Sequence, residues 1–325
     1  MIAYLLRRLL YAVPILIGVN LLTFALFFLV NTPDDMARLH LGVKRVTPEA
    51  VAKWKAARGY DKPLFVNAHA AGLAKVTDTI FYDKSLAMFA FRFGASDDGR
   101  DIASEIKTRM WPSLAIALPT FVVGLMVDIS VALILIFFRR TYVEWSGMVI
   151  VVAMMSISGL FYIIGGQYLF AKVWQLAPIS GYQSGFNAAR FVWLPILIGV
   201  VGGVGAGARW YRTLFIEEAG KDYVRTARAK GLSETAVLFR HILKNGMVPI
   251  LTGAVAVFPL LFMGSLIMES FFGIPGLGNY TIKAISSQDF AIVRAMVFLG
   301  AVLYIAGLIL TDVSYTVVDP RVRLK

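Results

Sequence analysis

Six stretches of this chain are largely apolar over about 20 residues, the length an α-helix needs to cross the hydrocarbon of a bilayer. They lie at roughly 9–30, 113–138, 147–173, 191–208, 247–268 and 291–315. The fold class that follows is an all-α integral membrane protein of about six transmembrane helices. Composition agrees: 58% of the residues are hydrophobic and 16% charged, and a mean hydropathy of +0.71 lies outside the range of soluble globular chains. The first stretch, Leu9 to Val30, follows Arg7-Arg8, exceeds the core of a signal peptide and lacks an A-x-A cleavage site, so it reads as a retained first helix. The third is the least clean. Gly165-Gly166-Gln167 and Lys172 interrupt its outer end, which is expected to break early or to line an aqueous path.

A net charge of +12 invites a nucleic-acid reading, but the distribution of the cations along the chain removes the need for one. Basic residues cluster at Arg7-Arg8, at Arg139-Arg140, over 209–246 with eight Lys and Arg, and at Arg321, Arg323 and Lys325. With six spans all four clusters fall on one side, which the positive-inside rule makes cytoplasmic, so both termini are expected inside. The chain has no cysteine, which excludes disulfides, thiolate metal sites and cysteine nucleophiles together.

The same count divides the chain into a tail and first span (1–30), an outer segment (31–112) and a core of five further spans (113–325) holding the basic loop 209–246. The outer segment carries Pro33, Pro48 and Pro63, a helical stretch around Pro48 to Trp54 with Thr47 as its cap, and Gly99-Arg100-Asp101. It reads as a small, partly helical cap, available to meet a solute or partner outside or to pack over helix ends.

Few residues carry chemistry. No G-x-x-x-x-G-K-[ST] occurs, so the chain cannot hydrolyse ATP by that route, and no G-x-S-x-G elbow is present. His40, His69 and His241 are scattered and match no ligand spacing, so no metal site is expected. Gly199, Gly203 and Gly207 are spaced for close helix packing in lipid. Asp128 is an acid well inside a span, a costly placement that makes it, with Gln167, a candidate for a solute path or for an interhelical pair. Asp312, near the inner end of the last span, reads as an interfacial or interhelical group.

The basic loop contains Asp222-Tyr223-Val224-Arg225-Thr226-Ala227-Arg228-Ala229-Lys230-Gly231-Leu232-Ser233, then Arg240-His241 and Asn245. Its spacing predicts a helix over 222–230 stopped by Gly231 at C′, and a second short helix capped by Ser233. Two short helices folded back at a glycine make a compact knob, whereas a basic helix lying on the membrane surface is the alternative.

These residues resemble the membrane permease subunits of peptide, dipeptide and nickel-type ABC importers, which have a type I permease fold. Asp222 to Ser233 resembles the family's cytoplasmic coupling loop, continued by Arg240, His241 and Asn245. Glu269-Ser270-Phe271-Phe272-Gly273-Ile274-Pro275-Gly276-Leu277-Gly278 resembles its outer loop before the last helix, with Ala284 and Asp289-Phe290 following. Asp319-Pro320-Arg321-Val322-Arg323, Arg7-Arg8…Pro14, Gly59 to Leu64 and Pro178 to Gly181 are further matches. The chain departs from the family in two places. Asn31-Thr32-Pro33-Asp34-Asp35 replaces a Pro-Gly-Asp-Pro element, and Ser156-Ile157-Ser158-Gly159-Leu160-Phe161 replaces Ser-x-Pro-x-Phe, so a proline kink is not expected there.

The resemblance implies a location in the bacterial inner membrane and a set of partners. These are a second permease subunit, expected to differ in sequence, two ATP-binding subunits that hold ATP and Mg, and an extracytoplasmic solute-binding protein. This chain itself would bind no cofactor. Residues Asp222 to Leu232 would couple to the ATPase, with Arg225, Arg228 and Lys230 as a polar rim and Ala227, Ala229 and Gly231 in close contact. Glu269, Phe272, Pro275, Gly276 and Gly278 would form an outer gate. The cargo would be a peptide or related small solute. A secondary transporter and an intramembrane enzyme built on Asp128 are the rival readings.

Overall fold

The computed structural model describes residues 2–42 and 46–318, so the match at Asp319 to Arg323 lies outside the described residues. The first span, α1 (Ile2–Ala25), runs on into a π-helical turn, Leu26–Val30. Short helices α2 (Pro33–Leu41), α3 (Pro48–Arg58), α4 (Ala74–Thr77) and α5 (Ile80–Lys84) follow, then the long α6 (Ile102–Phe137). Next come α7 (Tyr142–Ser156), α8 (Gly159–Gly166) and α9 (Ala188–Ala219). Helices α10 (Asp222–Ala229) and α11 (Glu234–Val237) lead through a π-helical turn into α12 (Lys244–Val257). The chain then runs through α13 (Leu266–Phe272), α14 (Leu277–Ser287) and α15 (Phe290–Val318). Among the described residues five helices are long and apolar enough to cross a membrane, and counting the bent pair 142–173 as one span makes six.

Hydropathy locates the lipid boundary, not the helix end. Helix α6 starts at Ile102, well before the predicted 113, because its first turns carry Ser104, Glu105, Lys107, Thr108 and Arg109 and project out of any apolar window. Asp101 caps it, accepting from the Ser104 amide at 2.8 Å. Helix α9 likewise runs past the predicted 208 to Ala219, well into the basic loop.

The third span corrects two expectations. Its break lies at Ile157-Ser158, not at Gly165-Gln167, and it is sharp without a proline. Both residues are extended (φ −85°, ψ 129° and φ −61°, ψ 142°), and the helix pair turns by 89°. Such a break frees carbonyls that lipid cannot satisfy. The Tyr162 hydroxyl donates to Met154 O at 2.8 Å, and Ser156 Oγ donates to Val152 O at 2.8 Å.

Glycines of α9 let it approach this break. A Cβ on Gly205 would lie 2.7 Å from Met155 N, and one on Gly199 would lie 2.7 Å from Thr120 Cγ2. Gly207 faces the Asp128 carboxylate, whereas a Cβ on Gly203 would meet no neighbouring element within 4 Å among the described residues. The close packing expected from Gly199, Gly203 and Gly207 is therefore present, but Gly205 replaces Gly203 at its centre.

The chain divides into two compact units. In the first, residues 2–109 with Tyr280–Ile309, the outer segment packs onto the end of α1. Phe24 and Phe28 share a core with Met36, Ala37, Val51, Trp54, Tyr60 and Ile80, and Phe24 meets Phe81 edge-on at 5.0 Å. Each such side chain, fully buried, contributes about 1.5–3 kcal/mol. Capping fixes the local helices: Thr32 and Asp35 form a reciprocal box ahead of α2, and Thr47 Oγ1 accepts from Ala50 N at 3.3 Å. Lys62 lies 2.9 Å from Asp78 and 2.6 Å from Asp83, and these partners hold its ammonium up to about 12. The segment is thus a set of short helices whose core is shared with the end of the first span.

In the second unit, 110–279 with 310–318, α9 is the axis, lying against α7, α8 and α12. The Gly205 contact gives a direct test. Gly205→Leu should lower the stability of the chain in lipid nanodiscs by about 1–3 kcal/mol, the usual cost of overpacking. Gly203→Ala should leave the thermal midpoint unchanged; equal effects from the two would refute this packing.

Candidate functional site

The knob begins where α9 ends. Lys221 precedes α10 in extended conformation, and α10 closes at Lys230 with Gly231 at φ +79°. The Leu232 amide reaches back to Ala227 O at 3.3 Å, and Lys230 N bonds Thr226 O at 3.0 Å. This left-handed stop is the one predicted from Gly231. Ser233 caps α11 as expected, its Oγ accepting from Ala236 N at 3.3 Å.

Helix α10 is amphipathic over two turns. Val224 and Ala227 are buried in a cluster with Ala132, Leu133 and Ile136 of α6, Phe215 of α9, and Val237, Leu238, Ile242 and Ile250. Asp222, Tyr223, Arg225, Thr226, Arg228, Ala229 and Lys230 are exposed, as are Gly231 and Leu232. This corrects one expectation: Ala227 faces its own core and is an anchor, while Ala229 and Gly231 remain outward. The predicted Arg228 rim is also partly spent, since its guanidinium holds Glu234 through two bonds of 2.8 and 3.1 Å and ties α10 to α11. Glu218, which sequence reasoning passed over, accepts from both Lys221 and Tyr223. Burial, then the Glu218 bond, pushes the Tyr223 hydroxyl up to about 12. Gly246 completes the mounting, since a Cβ there would lie 2.7 Å from the Phe215 ring.

The outer loop is organised around Glu269, which is 1% exposed. Its carboxylate accepts from the Ser265 amide at 3.2 Å and the Asn279 amide at 3.0 Å, and from the hydroxyl of Ser113. Ser113 in turn accepts from Leu277 N at 2.7 Å. Burial pushes the Glu269 carboxyl above the ordinary carboxylate range, against the downward pull of these bonds. The surrounding glycines have a steric reason. Added Cβ atoms on Gly264 and Gly276 would strike the Glu269 carboxylate, and one on Gly278 would lie 2.6 Å from the Ser265 carbonyl. Phe272 is buried with Ile274 against α8 and α9. Of the residues predicted for this loop, Glu269, Gly276 and Gly278 therefore form one knot, with Phe272 as its apolar anchor. Ser113, 164 residues from Leu277 in sequence, left no local signal.

Asp128 and Gln167 are not brought together. Asp128 Oδ1 is buried with no hydrogen-bond partner among the described residues, and Gly207 lies against the carboxylate. The Gln167 amide donates to Ile179 O at 2.9 Å and Phe271 O at 3.1 Å, tying the 174–187 connection to α13. A cavity of about 390 Å³ lies elsewhere in this unit, lined by Ser113, Thr120, Phe121, Leu260, Gly264 and Glu269 among others.

Comparison with known proteins identifies the family of the chain. Residues 108–324 match the family described as binding-protein-dependent transport system inner membrane component, and residues 1–109 match the description of its N-terminal part. A putative peptide transport system permease protein of Brucella abortus is 30% identical over 99% of both chains. A putative peptide permease protein of Brucella suis and a glutathione transport system permease protein of Salmonella typhi are each 28% identical over the whole of both chains. With its apolar helices and its two sequence-spaced loops in place, the chain belongs to the family of binding-protein-dependent inner membrane components and is a transmembrane permease subunit of an ABC importer, not itself an enzyme.

Proposed function

We propose that the knob at 220–243 is the coupling element through which an ATP-hydrolysing partner moves the spans. The observation that carries this reading is the split of α10. Val224 and Ala227 root it in a core shared with α6, α9 and α12, while Ala229, Lys230, Gly231 and Arg225, the last held to Asp222 at 3.4 Å, are exposed towards a partner. A knob fastened to three helices turns a push on its outer face into rigid motion of those helices. The full complex would comprise a second, different permease chain, two ATP-binding subunits carrying ATP and Mg, and an extracytoplasmic solute-binding protein. The knob and both termini would be cytoplasmic, in keeping with the positive-inside rule.

Peptides or a related small solute such as glutathione are the proposed cargo, a reading supported by the names of the relatives. The cavity beside Ser113, Thr120 and Glu269 is the proposed stretch of solute path in this chain, and the Glu269 knot its outer gate. Asp128, wedged against Gly207, and Gln167 would tune helix packing along that path.

Three outcomes test these assignments. Arg225→Glu or Ala229→Trp should lower solute-stimulated ATP hydrolysis about tenfold in the reconstituted importer, roughly 1.4 kcal/mol, with membrane insertion unchanged; undiminished coupling would remove the role of α10. Glu269→Gln should destabilise the chain by about 1–3 kcal/mol, because an amide cannot accept from every donor around it. The raised Glu269 pKa also sets a sign. Its contribution is fully present below the ordinary carboxylate range and is lost as pH rises through the raised value. Thermal midpoints should therefore fall with rising pH in the native chain, and Glu269→Gln should remove that component.

A further inference from the structure

Arg294 lies in the first unit with 3% of its surface exposed, yet among the described residues no carboxylate comes within ion-pair distance of it. Its bonds are long and go to neutral acceptors: Phe290 O at 3.3 Å, Tyr60 Oη at 3.4 Å and Lys84 O at 3.5 Å. Its guanidinium stacks 4.7 Å from the Phe28 ring centroid. A second cation faces the same space. Lys84 Nζ lies 5.5 Å over the Tyr60 ring and makes no ion pair or side-chain hydrogen bond among the described residues. Burial, and then the nearby Arg294, draw the Lys84 ammonium below its ordinary range.

The carboxylates of this neighbourhood are already committed. Asp97 pairs with Arg58 at 2.6 Å and His40 at 3.4 Å. Asp289 accepts from the amides of Asp97 at 2.7 Å and Ile292 at 3.2 Å. Arg294, Lys84, Arg58 and Tyr60 line a cavity of about 300 Å³, closed on another side by the Gly94–Gly99 loop. That is the lower end of the volumes that hold small ligands. Asp289 near Arg294 and Asp83 near Lys84 supply opposite charge without ion-pair contact, and a fully buried cation held in this way is costly unless an anion meets it directly. The Arg294 fork offers parallel donors suited to a carboxylate, and Lys84 adds a point charge.

We propose that the cap holds a binding site for the carboxylate of a small solute, formed by Arg294 and Lys84 with Tyr60 donating alongside. The site is separate from the cavity beside Glu269 and is a place where an acidic solute rests on the outer segment. It does not depend on the coupling role of the knob, and it is read without ATP.

The test uses the full chain in nanodiscs and two probes, N-acetyl-alanine and its neutral isostere N-acetyl-alaninamide, titrated by calorimetry. The acid should bind at least about tenfold tighter than the amide, chloride should not displace it, and Lys84→Gln should erase the preference. Arg294→Gln should do the same; if that variant does not fold, Lys84→Gln, at a half-buried position, decides alone. Equal binding of acid and amide, no binding of the acid, displacement by chloride, or an unchanged preference in Lys84→Gln would each overturn the proposal. If the acid fails to bind while Lys84→Gln weakens docking of the solute-binding protein, the pocket receives an acidic side chain of that partner, and the small-solute proposal falls. Loss of this site would leave the coupling assignment of α10 untouched.

Discussion

Lipid offers no partner for a backbone amide or carbonyl, and the architecture is arranged around that deficit. Long helices satisfy it internally, which is why the apolar stretches become helices irrespective of their many glycines and β-branched residues. Where a helix stops at membrane depth, a side chain has to replace the missing bond. The break after Ser156 is the clearest instance. Two extended residues interrupt the ladder, and Tyr162, one turn into the next helix, returns its hydroxyl to the carbonyl of Met154. Gly205 then allows the backbone of α9 to close over the same place. A proline would have removed one more donor without supplying a partner; here a tyrosine and a glycine achieve the turn.

The same economy governs charge. Surface ions in the cap pair off at modest benefit, typically about 0–1 kcal/mol each, as Lys62 does with Asp78 and Asp83. Buried ions organise their surroundings instead. Glu269 gathers amides from both ends of the 265–279 segment and requires glycine at 264 and 276 because any Cβ there would occupy the space of its oxygens. Arg294 has only neutral acceptors in bonding distance among the described residues, with Asp289 acting on it without contact, and that asymmetry separates a fully bonded structural carboxyl from a guanidinium with room for a ligand.

Much of this was legible in the sequence, and the rest was not for identifiable reasons. The apolar stretches announce the spans, and Gly231 with Ser233 announces the knob, because a left-handed stop and an N-cap are local and carry their own residue types. The Glu-x-x-Phe-Gly-x-Pro-Gly-x-Gly pattern marks the outer loop. What it does not reveal is Ser113, since a lone serine in an apolar helix carries no sign of a partner 164 residues away. The inward face of Ala227 was hidden similarly: an eight-residue helix between polar flanks has two small faces, and only the packing of α6 and α12 decides which is buried. The break at Ile157 was missed because the usual indicator, proline, is absent, and nothing in Ser-Ile-Ser-Gly demands extended backbone by itself.

One helix joins the two elements of the second unit proposed for coupling and gating. Ala132, Leu133 and Ile136 of α6 lie in the core of the knob, and Ser113, about 20 residues earlier on the same helix and so roughly 30 Å away at 1.5 Å per residue, bonds Leu277 and the Glu269 carboxylate. Over that length α6 is unbroken, despite Pro119 within it. A displacement imposed on Val224 and Ala227 therefore reaches Ser113 through a continuous rod, without passing through a loop. Ser113 Oγ both accepts from Leu277 and donates to Glu269 within the 265–279 loop, so a small axial or rotational shift of α6 would strain both bonds together. Under the proposed coupling role, a pair of bonds at the end of a rigid lever would have two discrete arrangements, made or broken, and a modest movement at one end of the spanning helix would be read as a switch at the other.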